Sequence, residues 1–311
     1  MNTSFSSETK NELARIVIGD KCCQAAELSA LLRFNGRLEL TRNKRKTLCI
    51  TTDNAGTARK AFKLFKSLSE FPLTVIMETK KRFNTNRFYM VRAQLDIENA
   101  AVLKKLGLID QEKGLVFGVA PEMVKSRCCK RAYLRGAFLA RGSVSRPGGS
   151  YHLEITCPSY ELAESVQKLS DGLGINFRII ERKSRAVLYL KDSEQIADCM
   201  RIMGANYALL EFENIRAFKS MKNQVNRQVN CETANLEKTL NASIRQVEVI
   251  QQLIDKIAVQ GIPEQLRELA LLRLDYPDAT LRELGEMMNP SLSKSGVAYR
   301  MRKIEKLGER L

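Results

Sequence analysis

A sixteen-residue signature occurs twice in this chain, and that duplication constrains the fold more than any other feature. Residues 21–36 read KCCQAAELSALLRFNG and residues 127–142 read RCCKRAYLRGAFLARG, an offset of 106. Five of the sixteen positions are identical: the two cysteines, Ala26/Ala132, Leu28/Leu134 and Gly36/Gly142. Both copies read as helices with Cys-Cys near the start and Gly at the end.

The repetition extends past the signature. After Gly36 come alternating segments RLELT (37–41) and TLCIT (47–51), a helix around 55–69, strands LTVIMET (73–79) and RFYMVRA (87–93), and a helix near 97–106. After Gly142 come a turn SRPGGS, strand YHLEIT (151–156), a helix near 159–173, strands NFRII (176–180) and AVLYL (186–190), and a helix near 192–202. Helix–strand–strand–helix–strand–strand–helix, repeated, predicts a pseudo-twofold α+β domain over roughly 18–210. We take this domain as residues 1–211, with repeats at about 18–106 and 124–205. Ala30, Gly136 and Ala140 suit two closely packed central helices; Phe34, matching Ala140, is bulkier than such packing leads one to expect.

The last nine residues of each copy, LSALLRFNG and LRGAFLARG, resemble the LAGLIDADG helix of homing endonucleases. That resemblance implies two helices packed side by side, and a carboxylate before each final Gly that holds a catalytic divalent cation at DNA. Here those positions are Asn35 and Arg141. Metal-assisted phosphodiester cleavage needs anionic oxygen ligands to concentrate the cations. Asn35 is a weak neutral ligand and Arg141 adds positive charge, so we expect the scaffold kept and the nuclease lost. Glu27 and Glu39 lie near the first motif, but nothing matches them in the second copy.

Other chemistries have little to work with. Cysteines stand at 22, 23, 49, 128, 129, 157, 199 and 231, none as Cys-x-x-Cys, and His152 is the one histidine. No metal ligand set and no nucleophile–base pair is recognisable, so neither metal, cofactor nor catalytic residue is expected. The vicinal cysteines read as small buried residues opening each helix, with redox sensing as the alternative. No segment approaches the roughly 20 apolar residues of a membrane span. MNTSFSSETKNELARI starts as a capped amphipathic helix rather than a signal peptide, which predicts a cytoplasmic protein.

Charge points to a polyanion. Lys and Arg total 51 against 35 Asp and Glu, a net charge of +16. Nucleic acid is favoured over a membrane, because no basic amphipathic helix with an aromatic apolar face stands out. A basic soluble protein without such a partner is the plain alternative. Residues 263–311 carry nine basic and eight acidic side chains, so nearly all the excess lies before them. Much of it falls near predicted hairpins: RNKRK (42–46), KKR (80–82) with Arg87, and ERKSR (181–185). These serve either as phosphate contacts or as solvated tips of a domain that docks protein.

Residues 212–260 are predicted helical. Ile215, Phe218, Met221, Val225 and Val229 form an apolar stripe opposite Lys219, Lys222 and Arg227. A docking helix and a phosphate-contacting arm both fit. A second amphipathic stretch, 243–259, stops at Gly261.

The remaining segment reads as three helices. Pro263 suits a first helical position, followed by EQLRELALLRL. Thr280 with Glu283 forms a capping box opening LRELGEMM, and Ser293 caps the helix after the turn NPSL. A short turn between the second and third helices matches a helix-turn-helix, about 264–307. Residues 263–290 have three basic and six acidic side chains, whereas 291–311 have six basic and two acidic. A positive third helix backed by an acidic scaffold fits a reader of the major groove; a protein-docking module is the alternative. The candidate DNA-binding residues are Thr280, Ser293, Lys294, Ser295, Ala298, Tyr299, Arg300, Arg302, Lys303 and Lys306.

Taken together, RGAFLARGSVS (135–145), FKSMKNQVNRQVNCETAN (218–235) and LRELGEMMNPSLSKSGVAYRMRKIEKL (281–307) are similar to the bacterial WhiA family over nearly the whole chain. The resemblance implies a catalytically inactive LAGLIDADG domain, then a helical linker and helix-turn-helix domain over 212–311. It implies a nucleoid-associated regulator that binds double-stranded DNA. The processes implied are cell division and chromosome segregation, with sporulation in some bacteria. A non-specific nucleoid or division scaffold, whose first domain binds cell-division or transcription proteins, is the alternative.

Overall fold

A computed structural model describes residues 4–40, 46–68, 70, 72–80, 86–95, 100–110, 114–182 and 185–310. The chain divides into two compact units, Met1–Lys219 and Ser220–Leu311.

The first unit opens with α1 (Phe5–Arg15), whose N-cap Ser4 hydroxyl accepts from the Ser7 amide at 3.2 Å. The two signature copies form α2 (Lys21–Asn35) and α5 (Arg127–Arg141), packed against each other at the centre of the unit. Between and after them run β1 (Gly36–Leu40), β2 (Lys46–Thr52), α3 (Ala55–Leu68), β3 (Leu73–Lys80), β4 (Asn86–Leu95) and α4 (Ala100–Lys105). The second copy continues as β7 (Gly142–Val144), β8 (Leu153–Cys157), α6 (Tyr160–Asp171), β9 (Arg178–Arg182), β10 (Arg185–Leu190) and α7 (Ser193–Met203). A small hairpin, β5 (Ile109–Asp110) with β6 (Gly114–Leu115), joins the repeats. No sequence pattern marks it.

Both four-stranded sheets are antiparallel and share one order, β1-β2-β4-β3 and β7-β8-β10-β9. Register explains which face is buried. Leu48 and Ile50 pair with Ala93 and Val91, and Ile155 and Leu153 pair with Leu188 and Leu190. Strand side chains alternate with a period of two, so these pairs build one apolar layer against the helices. Strand β9 begins at Arg178 rather than residue 176. The Asn176 amide is taken by the Gln195 side chain at 2.9 Å, which delays the ladder. The fold is α+β, as the repeat implied.

The segment expected as separate helical stretches is one helix, α8 (Asn206–Ile257). It starts where the Glu12 carboxylate accepts from the Tyr207 and Ala208 amides, at 2.8 and 2.9 Å. An anion at a helix N-terminus satisfies free donors and meets the positive end of the dipole. Phe212 belongs to the first core, while Ile250 and Leu253 belong to the second. The apolar stripe Phe218, Met221, Val225 and Val229 is more than half exposed. Helix-period apolarity there marks an exposed face, not a buried one.

The second unit packs α9 (Glu264–Asp275), α10 (Leu281–Met287) and α11 (Lys294–Gly308) around Leu269, Leu284, Val297, Met301 and Ile304. Pro263 is the N-cap of α9 rather than its first residue. Among the described residues, no helix is long and apolar enough to cross a membrane.

Candidate nucleic-acid interface

The helix-turn-helix is built by its caps and one close crossing. The Thr280 hydroxyl accepts from the Glu283 amide at 3.3 Å while the Glu283 carboxylate accepts from the Thr280 amide at 2.7 Å. These bonds to Thr280 hold the Glu283 carboxyl below its ordinary value. Ser293 caps α11 by accepting from the Gly296 amide at 3.3 Å. Gly285 permits the turn: a Cβ there would lie 2.2 Å from the Leu292 carbonyl, which no side chain tolerates. The Leu292 amide in turn donates to the Gly285 carbonyl at 2.9 Å.

Arg273 is not among the residues the sequence suggests. It is buried, and its guanidinium donates to the Pro277 and Ala279 carbonyls at 3.2 and 2.6 Å, pinning the turn that leads into α10. Its charge reads as a solvated helix face, and no local pattern reveals otherwise.

On α11, Val297, Met301 and Ile304 face the core, whereas Ser293, Lys294, Ser295, Tyr299, Arg302, Lys303 and Lys306 are exposed. Lys303 Nζ sits 4.6 Å from the Tyr299 ring centroid, and Arg302 donates to the Ala298 carbonyl at 3.2 Å. Ala298 is half-buried and Thr280 is exposed at its cap. Arg300 departs from the group. It is half-buried and donates to the Gln265 carbonyl of α9 at 3.1 Å, because its helical position turns it toward the scaffold.

The other candidate surface lies in the first unit, at the C-terminal ends of α2 and α5. Asn35 and Arg141, the residues that the resemblance sets against the LAGLIDADG acids, reach across the helix pair. Asn35 donates to the Ala140 carbonyl at 2.9 Å, and Arg141 donates to the Phe34 carbonyl at 2.7 Å. Carbonyls at helix C-termini lack intrahelical donors, so each side chain caps the opposite helix. Burial lowers the Arg141 pKa, and the neighbouring Arg185 and Arg37 charges lower it further. The charges of Arg37, Arg141 and Arg185 thus add up near the position where the resemblance would put metal, a field that opposes divalent cations and favours phosphate.

Strand register extends this surface. Arg178, Arg182 and Arg185 share the face of β9–β10 opposite the core, with Tyr189 and Glu154. In the first repeat Arg37 and Arg92 lie on the matching face, Arg92 paired to Glu39 at 3.4 Å. Of the charged hairpins, Lys46, Arg87, Glu181, Arg182 and Arg185 are exposed. Residues 42–45, 81, 82, 183 and 184 lie outside the described residues. Lys219 of the proposed arm is engaged within its own unit. It donates to the Gly149 carbonyl at 2.7 Å and lies 4.9 Å from the Tyr151 ring.

Glu27 is not a spare catalytic acid. It is fully buried at the crossing of α2 and α5, accepts two hydrogen bonds from Arg135 at 3.2 and 3.1 Å, and pairs with Lys60 at 3.6 Å. The vicinal cysteines split: Cys23 and Cys129 are buried as expected, but Cys22 and Cys128 are exposed, since consecutive helical positions diverge around the axis.

Comparison with known proteins places these features in one lineage. Residues 21–109 match the model of the WhiA N-terminal LAGLIDADG-like domain, 130–222 that of the WhiA LAGLIDADG-like domain, and 225–308 that of the WhiA C-terminal HTH domain. A probable cell division protein WhiA of Desulfitobacterium hafniense (strain Y51) is 48% identical over 308 residues, covering 99% of this chain and 96% of the relative. Its counterpart from Syntrophomonas wolfei is 48% identical over 304 residues, covering 97% and 96%. The crystal structure of full-length DUF199/WhiA from Thermatoga maritima superposes with a TM-score of 0.62 at 28% identity, covering 99% of each chain. With two LAGLIDADG-like repeats followed by a helix-turn-helix, and near-half identity along its whole length, this chain belongs to the WhiA family.

Proposed function

We propose that this protein is a sequence-specific DNA-binding regulator acting in cell division, with chromosome segregation, transcription control and, in some bacteria, sporulation as the processes served. The observation that carries the reading is α11. A capped helix buries Val297, Met301 and Ile304 and leaves Lys294, Ser295, Tyr299, Arg302, Lys303 and Lys306 facing solvent. A helix anchored on one side and cationic on the other suits insertion into the major groove. The name carried by the relatives, probable cell division protein, supports the cellular role. In this reading residues 212–311 read bases, while the arginine-lined face of residues 1–211 grips phosphates without reading sequence.

We assign no enzymatic step to the first domain. Asn35 and Arg141 are occupied as cross-helix caps, and Arg37, Arg141 and Arg185 oppose cation binding. The protein would act in the cytoplasm on the nucleoid.

Genome-wide crosslinking of the protein in growing cells tests this, beside a Lys294→Ala/Arg302→Ala/Lys303→Ala variant. Discrete peaks sharing a motif and abolished in the variant are expected. Diffuse signal unchanged by the variant would instead identify a nucleoid or division scaffold whose first domain binds protein.

A further inference from the structure

The thiols of Cys22, Cys23 and Cys129 converge at the end of the α2–α5 pair opposite Asn35 and Arg141, with Cys128 next to Cys129 in the chain. Each signature copy carries two cysteines, at the second and third positions of its helix. Asn35 lies thirteen positions after Cys22, so the two ends lie roughly 20 Å apart along the helix axis. The Cys23 and Cys129 sulfurs are 3.9 Å apart, bridging residues 106 apart in sequence. The Cys22 sulfur joins them, all three lying within 4.8 Å of one another. Cys128, on the first turn of α5 beside Cys129, has its sulfur 3.1 Å from the Ser126 hydroxyl, and its neighbours Ser126 and Cys23 lower its pKa.

The spacing matters. A tetrahedral tetrathiolate centre with Zn–S near 2.3 Å has sulfur–sulfur edges of about 3.8 Å. A disulfide requires about 2.05 Å, and all four cysteines are free. Thiolate sulfur selects soft or borderline ions, not the hard magnesium class that LAGLIDADG chemistry uses. Charge is also accommodated. Four thiolates around one divalent ion carry a net double negative charge, facing two helix N-termini and flanked in sequence by Lys21, Arg127 and Lys130. The expectation that no metal ligand set exists rests on spacing within one segment. Here the ligands arrive as vicinal pairs from two repeats.

We propose that Cys22, Cys23, Cys128 and Cys129 form a tetrathiolate site for one zinc-class cation that clamps the two repeats together at the start of their central helices. Loading transfers the thiol protons to solvent as the four sulfur–metal bonds form, with no change of oxidation state. The site is structural. It joins the starts of two helices that come from different repeats, and it leaves the Asn35 and Arg141 end of the pair free.

The test uses the full-length chain, purified with a phosphine reductant, loaded with Zn²⁺ or Co²⁺ and dialysed. About one zinc per chain is expected by elemental analysis, and the cobalt form should show thiolate charge-transfer bands with the intense visible bands of tetrahedral coordination. Cys23→Ser/Cys129→Ser should retain less than about a tenth of that zinc. Cys22→Ser/Cys128→Ser, confined to exposed positions, should weaken binding at least about tenfold against a chromophoric chelator while circular dichroism stays unchanged. Cys231→Ser, on α8, should bind as the parent does. Three results would overturn the proposal: no metal retained by the parent, zinc undiminished in the exposed-pair variant, or octahedral cobalt spectra. If the buried-pair variant fails to fold, the exposed-pair variant decides.

Discussion

Glu27 shows how a single residue is committed by its surroundings. Its carboxylate balances two buried cations, Arg135 and Lys60. Burial lowers the Lys60 pKa, Glu27 raises it and Arg135 lowers it again. Removing the one anion leaves two cations desolvated and facing each other. We expect Glu27→Gln to destabilise the first unit by about 3–5 kcal/mol, measured by urea unfolding. A loss below about 1 kcal/mol would mean that water reaches the triad.

The isolated thiols behave differently from the convergent ones. Burial raises the Cys49 thiol to about 11 and the Cys157 and Cys199 thiols to about 12. The thiolate is the reactive form, so these three should resist iodoacetamide in native protein at mildly alkaline pH, while exposed Cys231 is alkylated. Peptide mapping by mass spectrometry reads the difference. Rapid labelling of Cys199 would contradict its burial.

At the scale of elements, the helix-turn-helix depends on local side-chain–backbone bonds that the sequence announces. Thr280 and Ser293 are candidate DNA contacts by position, but both hydroxyls are occupied as caps. Thr280→Ala and Ser293→Ala should each cost about 1 kcal/mol of stability in the second unit, seen as a lowered melting temperature without DNA. Equal stability with weaker DNA binding would make them DNA-binding groups rather than caps. Arg273 belongs to the same element by a longer route, holding the turn from inside.

For the central helices, Ala30 and Gly136 are legible as small residues. Their reason appears only in three dimensions. A Cβ on Gly136 would stand 2.5 Å from the Glu27 carbonyl and 2.8 Å from the Ala30 Cβ. Phe34, too large for the pair on sequence grounds, is accommodated in the core at 2% exposure.

At the scale of the whole molecule, the proposed function assigns the charge excess and α11 separable contributions to DNA binding. Removing one phosphate-binding cation should lower affinity across all sequences and reduce the salt slope by about one. Lys303→Ala is expected to behave this way. Arg302→Ala should instead cost about 1–3 kcal/mol on the target site alone, relaxing discrimination there. Fluorescence anisotropy against target and scrambled duplexes over a salt series distinguishes them. If Arg302→Ala weakens both duplexes equally, Arg302 binds phosphate rather than a base edge.

What this sequence determined by itself is everything carried by short-range signals and by repetition. The duplication shows as identical positions at an offset of 106, and the strand alternation around Leu48 and Ile155, the Thr280–Glu283 capping box and the α11 stripe follow from patterns within a few residues. The tertiary structure alone decided which distant residues meet. Glu27 finds Arg135 across 108 positions, Asn35 and Arg141 cap each other's helices, and three cysteines gather from two copies. Periodicity assigns a side chain to a face. The desolvation of a charge, or the closing of a thiol cluster, depends on what another helix brings to that face, and no local window contains that partner.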